Sequence, residues 1–432
     1  MPEGLAPSRP HVLIIPSEEF LPAGNHLPGI FQYHQGMVLR NAGFRVGTLS
    51  IRQAVSVPMV LRAALLRVVG RKPGNALDNL TLRAMWRLFA DKIARIHRFV
   101  SVEEITGIPV VRVEGFYYLP PSPRTNHLGW IHAGVAAFDE YCRRFGRPDV
   151  IHAHNSDPAG LLAHRLSRRT GIPFVVTEHS TYFARGLVPR SLYGALRRAF
   201  RAASAAAVVG PALGDLLTRQ LGIDDVDFEW IPNVVEEDVI DTAPSRNSRS
   251  PGEFRFLALG NLTPVKDHSL LLRAFQRAFG GTPNVFLRIG GDGELLESLK
   301  ALSASLGISD RVEFLGRLSR PEVIDELDNC DAFVLPSRYE TFGVVLIEAM
   351  ARGKPVVSTA CAGPDAVVLA EDGVLVPVGD VEALAEAMLA MQRDHAQYRQ
   401  DEIRNRAILR FGPRRLVENL ERLYAEAIAG NA

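Results

Sequence analysis

The chain has 432 residues, 47% of them hydrophobic and 22% charged, with 49 Lys and Arg against 48 Asp and Glu. That length exceeds one typical core and predicts two or three domains, and the hydrophobic share excludes wholesale disorder. A net charge of +1 gives no global attraction for nucleic acid, and the three scattered cysteines, Cys142, Cys330 and Cys361, form neither a metal spacing nor a disulfide framework.

In chain order, the apolar run HVLII at residues 11–15 predicts a first buried strand. The residues ahead of it hold no basic stretch followed by a long apolar one. Neither a signal peptide nor a membrane span is expected, and with the cysteine usage this points to the cytoplasm. The runs FRVGTLS, DVIHAHN, PFVVTEH and AAAVVG read as further strands. They are continuously apolar, as parallel strands covered on both faces are. Between them, residues 51–100 carry ten Lys or Arg against two Asp, with apolar residues at helical spacing. One reading is a basic amphipathic surface for an anionic membrane or a lipid-phosphate acceptor, at the inner face of the membrane. A pair of helices packed on their own domain with a solvated basic face is favoured over it, because spacing alone does not place them outside the core.

DTAPSRNSRSPGE, residues 241–253, lacks periodicity and reads as an interdomain linker. It separates an N-terminal domain, 1–240, with its basic helical insert at about 51–100, from a C-terminal domain, 254–432. FRFLALG, VFLRIGG, VEFLG, AFVLPS, PVVST and GVLVPVG then alternate with helical stretches. Two doubly wound α/β domains are expected, with a ligand cleft between them beyond the carboxyl ends of strands. The last stretch, RRLVENLERLYAEAIAG, is an amphipathic helix that can pack back on the N-terminal domain.

Three stretches of the C-terminal half carry chemistry. In FLALGNLTPVKDHSLL a strand ends at Leu259 and a helix begins near Asp267, so Lys266 lies at a helix N-terminus. A cation there opposes the helix dipole unless an anion binds, in which case both address it; a plain surface lysine is equally open. In VFLRIGGDGELLESL, Gly290, Gly291 and Gly293 permit close approach of a ligand to the backbone, although a tight structural turn would use them too. In SRYETFGVVLIEAM, Glu348 stands inside an apolar run, where an unpaired carboxylate is costly. On one ideal helix Glu340 and Glu348 would be about 80° and about 12 Å apart. That argues against a glycosidase-like acid/base dyad, whose carboxyls lie within roughly 5–9.5 Å. It suits an elongated ligand, with the helix N-terminus at Phe342 and Gly343 between its ends, suited to phosphate. His152 and His154 in IHAHN alternate along a strand end, so only one is expected to face the ligand side, and both are read as structural.

Together these stretches resemble glycosyltransferase family 4, the retaining nucleotide-sugar transferases of the GT-B fold. The carriers are ETFGVVLIE, GNLTPVK, IGGDGEL, VEFLGRL, IPNVV, GIFQYHQGMVLRNAGFRV, PDVIHAHN and IPFVVTEHS. The resemblance spans nearly the whole chain and is weakest over residues 51–128. It implies that Lys266 grips the donor diphosphate, Glu340 contacts the transferred sugar and Glu348 binds the ribose hydroxyls. It also implies that the backbone at Phe342, Gly343 and Val344 addresses sugar and phosphate, that Gly29 approaches the diphosphate, and that His179 lies near sugar and acceptor. Arg317 and Leu318 would line the base pocket, with Gly291 also at the donor. Many members carry Arg where this chain has Asn261, and Arg338 is a candidate replacement.

The expectation is a metal-independent, cofactor-free retaining hexosyltransferase. UDP-sugar is favoured as donor, GDP-mannose next, and the acceptor would be a hydroxyl of a bacterial polysaccharide or glycolipid intermediate, lipid-linked or not. The alternatives are a non-catalytic subunit that kept the fold and a small-molecule glycosyltransferase of secondary metabolism.

Overall fold

The computed structural model describes residues 9–21, 29–54, 65, 100–116, 123–243 and 252–430. The chain forms two compact units. One comprises Met1–Ala207, Leu217–Glu229 and Leu420–Ala432, the other Val208–Leu216 and Trp230–Asn419.

The first unit is built on β1 (His11–Pro16), β2 (Arg45–Ala54), β3 (Val100–Ile105), β4 (Ile108–Phe116), β5 (Val150–His154), β6 (Phe174–Glu178), β7 (Ala205–Val208) and β8 (Phe228–Trp230). Their order in the sheet is β3-β4-β2-β1-β5-β6-β7-β8. β1, β2, β4, β5 and β6 run parallel. Every residue of β1, β5 and β6 is buried, the polar His152, His154, Thr177 and Glu178 included, as in strands covered on both faces. β1 lies between β2 and β5, so the sheet order reverses there. The carboxyl ends of β1 and β5 are the edge where ligands of doubly wound sheets bind.

Three strands escape the sequence reading. β3 alternates exposed and half-buried residues and pairs antiparallel with β4. The two are joined at Thr106 and Gly107, with φ of 48° and 82°, the two positive values of a type I′ hairpin turn. β8 is only three residues long. Residues 51–54, expected to open the basic helical insert, instead continue β2 in register with 113–116 of β4. Their β-branched and neighbouring residues are satisfied by ladder hydrogen bonds before any helix could start. The proposed membrane-facing helices fall on residues that, Leu65 apart, lie outside those described, as do residues 244–251 of the expected linker.

The second unit holds β9 (Phe254–Leu259), β10 (Val285–Gly290), β11 (Val312–Gly316), β12 (Ala332–Leu335), β13 (Val356–Thr359) and β14 (Gly373–Val376). All six strands expected from the sequence are present. They form a wholly parallel sheet in the order β11-β10-β9-β12-β13-β14. Its core packs Phe256, Leu287 and Ile289 against Leu271, Phe275 and Phe279 of helix His268–Phe279, and against Met388 of helix Val381–Arg393. Arg352 is a buried cation of this unit. It makes a bidentate pair with Asp328, at 2.7 Å from each nitrogen, and donates to the carbonyls of Val239 and Thr242. Residues 239–242 are thereby pinned to this unit by the four hydrogen bonds of one guanidinium.

Candidate functional site

In the second unit the order reverses at β9, between β10 and β12, and the functional candidates gather at the carboxyl ends of these strands. After β9 the chain turns through Gly260 and Asn261 into a short 3₁₀ turn, Pro264–Lys266. Helix His268–Phe279 follows, capped by the Asp267 side chain, which accepts from the Leu270 N–H. After β10, Gly291 adopts φ 140°, and a Cβ there would lie 1.9 Å from the Gly260 carbonyl oxygen. Only glycine allows the two turns to run this close. The Leu318 side chain packs against Gly290, whereas Arg317 is exposed.

The loop after β12 carries Ser337, Arg338 and Glu340. Lys266 Nζ lies 2.5 Å from Glu340 Oε1, which also accepts from Ser337 Oγ at 2.7 Å. Glu340 is held by its own backbone: its N–H donates to the Cys361 carbonyl, and its carbonyl accepts from the Gly363 N–H. It therefore sits on a short bridge with Ala362, outside any helix. Arg338 joins the same cluster through its Nε, 2.7 Å from Asp267 Oδ2, and through its N–H to the Val265 carbonyl. Asn261 is exposed on the turn.

Phe342 is buried edge-on against Phe411 and anchors the start of helix Val344–Ala351, whose N-cap is Gly343 at φ 93°. Glu348 lies on the buried side of this helix, 4% exposed. It is not unpaired. Arg320 Nη1 donates to Glu348 Oε1 at 2.7 Å, and Arg320 also pairs with Glu236 at 3.0 Å and Asp238 at 3.2 Å. Burial pushes the Glu348 carboxyl above the ordinary carboxylate range, Arg320 pulls it back, and Glu236 and Asp238 push it up again. Sequence reasoning missed Arg320. The capping box Ser319–Glu322 in LSRPE marks it as the first residue of a helix, but nothing local names a partner 28 residues away.

Two of the expected residues lie in the first unit. Gly29 has φ 75°, caps helix Ile30–Asn41 and donates its N–H to Glu18 Oε1 at 2.9 Å. A Cβ there would come within 2.9 Å of the Phe20 Cα. His179 follows β6. Its N–H is held by Asn155 Oδ1, and the flanking Glu178 carboxylate accepts from the backbone and hydroxyl of both Ser156 and Ser180.

His179 Nε2 lies 2.8 Å from His154 Nδ1, and His154 stacks on His152 with ring centroids 4.2 Å apart. The expectation that only one of His152 and His154 faces the ligand side is thus corrected. Residues two apart on a strand share a face, and these two rings stack on it. Burial above all, with His179 alongside, lowers His152 to about 3; burial with His152 and His179 lowers His154 well below the usual range.

Among the described residues, no group of three or more His, Cys, Asp or Glu side chains is arranged to hold a metal ion. No described helix is long and apolar enough to cross a membrane.

A family model described as glycosyl transferases group 1 matches residues 239–408, and one described as glycosyltransferase family 4 matches residues 101–239. A glycogen synthase of Mycobacterium tuberculosis is 29% identical over 276 residues, covering 62% of this chain and 65% of that protein. The chain thus spans just under two thirds of the length of that curated relative. A 2-deoxystreptamine N-acetyl-D-glucosaminyltransferase of Streptomyces fradiae is 29% identical over 299 residues, covering 62% of this chain and 70% of its own. Among solved structures, the sucrose-phosphate synthase of Thermosynechococcus elongatus superposes with TM-score 0.69 at 19% identity, covering 97% of this chain and 100% of that one. Anabaena Alr3699/HepE in complex with UDP-glucose gives TM-score 0.63 at 17% identity, covering 97% and 99%. At such identities the structural likeness shows the shared fold.

Proposed function

The chain belongs to glycosyltransferase family 4, with the Rossmann-like units of the GT-B fold, and from that premise we propose that it moves a sugar from a nucleoside diphosphate to a hydroxyl acceptor. The observation that carries this reading is the Lys266–Glu340 pair, set at the carboxyl ends of β9 and β12 beside the close glycine turns. A breaking sugar–phosphate bond leaves negative charge on the diphosphate. In this reading Lys266 and the N–H groups at Gly343 and Val344, at the start of a helix, meet that charge, and no divalent ion is assigned. Arg338, tethered to Asp267 next to Lys266, supplies a second cation where Asn261 lacks one.

In this reading Glu340 addresses the transferred sugar, and Glu348 accepts from the ribose diol, which presents two donors. Arg320 draws Glu348 toward the carboxylate form, against its burial. Arg317, Leu318 and Gly291 border the base. Gly29 and His179 are assigned to the diphosphate and to the sugar and acceptor. Transfer is assigned as retaining, with the departing phosphate taking up the acceptor proton. UDP-sugar is the favoured donor; a structural neighbour of the same fold holds UDP-glucose. The acceptor is assigned to bacterial surface glycan or glycolipid assembly on the cytoplasmic side of the membrane. The Streptomyces fradiae relative, named for 2-deoxystreptamine, supports a second reading in which a small molecule is glycosylated.

The test is release of nucleoside diphosphate from UDP-glucose, UDP-N-acetylglucosamine and GDP-mannose, with Lys266→Ala as control and EDTA present. Turnover that EDTA spares and Lys266→Ala abolishes supports the reading. Absence of turnover and transfer with every common nucleotide sugar favours a non-catalytic subunit.

A further inference from the structure

Two helices of the first unit, Leu161–Thr170 between β5 and β6 and Tyr193–Ala202 between β6 and β7, pack side by side. Leu162 and Leu166 of one, and Leu196, Ala199 and Phe200 of the other, are buried. Arginines take the opposite sides. Arg165, Arg168 and Arg169 lie three and four residues apart, as do Arg197, Arg198 and Arg201, and all are exposed, so each set forms one solvent-facing stripe.

The charge is concentrated here although the chain as a whole carries only +1. Residues 161–202 hold eight arginines, no lysine and one acid, Glu178, which is buried on β6. Asp139 neutralises Arg169, and Asp225 neutralises Arg201. Arg165, Arg168, Arg185, Arg190, Arg197 and Arg198 form no ion pair among the described residues. Burial first, then Arg168 from one helix and Arg198 from the other, lower the His164 imidazole below its ordinary range. The two stripes therefore converge on His164. Like charges gathered in this way repel one another, and an external polyanion offsets that cost.

The loop that enters the second helix through the turn Arg190–Leu192 adds apolar surface. Phe183 is buried and anchors it, while Tyr182 and Leu187 stand 53% and 52% exposed. The Tyr182 carbonyl accepts from the Leu187 N–H at 2.9 Å, and Gly186 at φ 65° closes the turn between them. Both side chains thus leave one tight turn, with exposed Arg185 inside it and Arg190 just beyond.

We infer that this arginine face, with Tyr182 and Leu187 at its end, is a docking surface for a bilayer carrying anionic phospholipids. Each helix is about 15 Å long, so six unpaired guanidiniums spread over both helices and the loop exceed what one bound phosphate engages and match a plane of headgroups. Guanidinium forks pair bidentately with phosphate oxygens, and an amphipathic tyrosine beside a leucine suits the boundary between headgroups and acyl chains. The face is separate from the basic stretch at residues 51–100, and the docking does not depend on the transferase reading.

The experiment is co-sedimentation of the full chain with vesicles of phosphatidylcholine alone and of phosphatidylcholine mixed with phosphatidylglycerol, at low and high salt. The expected result is saturable binding to the mixed vesicles at low salt, lost at high salt and absent with the neutral ones. The fourfold variant Arg165→Gln, Arg168→Gln, Arg197→Gln, Arg198→Gln, folded by circular dichroism, should bind the mixed vesicles at least about 100-fold more weakly, at roughly fivefold per arginine near an anionic surface. Tyr182→Ser with Leu187→Ser should weaken binding about tenfold and keep the salt dependence. Equal binding to neutral and mixed vesicles overturns the inference, as does a wild type that binds heparin but neither vesicle. A folded fourfold variant that binds like the wild type overturns it too, since the contact then lies on another segment. If the fourfold variant does not fold, Arg165→Gln with Arg197→Gln decides: a loss of at least about tenfold is expected, and no loss contradicts the inference. Donor release in the assay above reports on the transferase reading separately.

Discussion

Lys266 and Glu340, 74 residues apart in sequence, share one ion pair at 2.5 Å, so the cation assigned to the diphosphate is already engaged by the carboxylate assigned to the sugar. Both side chains are partly buried, 23% and 12% exposed, and each restrains the other. An incoming diphosphate must compete with Glu340 for Lys266. Glu340→Ala is therefore expected to leave UDP affinity unchanged or increased while lowering turnover by about 10²-fold, the scale of losing one preorganised charged contact. Calorimetry and donor-hydrolysis rates on the same preparation check it. A parallel loss of UDP affinity would contradict the competition.

Glu348 and Arg320 give a pH dependence with a defined sign. The folded carboxyl titrates above its unfolded value near 4.5, because burial outweighs Arg320. Between the two values the folded state binds more protons, so stability falls as pH rises through that window. Arg320→Gln removes the opposing pull and carries the window further up. That variant should lose about 3 kcal/mol at neutral pH, the low end for breaking a buried pair, since Arg320 is 29% exposed. Its unfolding temperature should drop more steeply than that of the wild type between pH 5 and 7.5, and adding Glu348→Gln should flatten the slope. An unchanged slope in thermal melts would remove the linkage.

Arg352 is a structural pin. Its side chain is 0% exposed, and it joins Asp328 to the carbonyls at 239 and 242. Arg352→Met leaves a buried carboxylate without its cation, and a loss of roughly 3–5 kcal/mol is expected in urea unfolding. Nucleotide affinity of the folded fraction should stay at wild type. A change below about 1 kcal/mol would show that Asp328 finds another partner.

Gly291 and Gly281 separate a required glycine from an incidental one. Gly291 combines φ 140° with a Cβ position 1.9 Å from a backbone oxygen, whereas nothing lies within 4 Å of a Cβ at Gly281. Gly291→Ala should destabilise by at least about 2 kcal/mol and displace the turn beside Asn261. Gly281→Ala should stay within about 0.5 kcal/mol of wild type. Denaturant midpoints of the two variants test this, and equal values would sink it.

The sheet strands were legible because parallel strands buried on both faces leave continuous apolar runs, as HVLII and AFVL do. β3 was not, because its alternating surface pattern sits beside a basic segment that draws attention to helical spacing. Glu348 was legible as an anomaly, an acid in an apolar helix. Its partner was not, because Arg320 reaches it only through the packing of two helices. The imidazole stack was half-legible. Strand period puts His152 and His154 on one face, which the reading of them as alternating overlooked, and the buried Tyr424 beside them enters from 272 residues away.

The most direct measurement is calorimetric titration of UDP and of uridine into the wild type and Lys266→Ala. The expected result is saturable UDP binding to the wild type, weakened about 10- to 100-fold in the variant by loss of one charge-assisted contact, with uridine binding equally to both. Equal UDP affinity in the two proteins, or no binding of UDP, GDP, ADP or dTDP to the wild type, would contradict a nucleotide-sugar site built on Lys266.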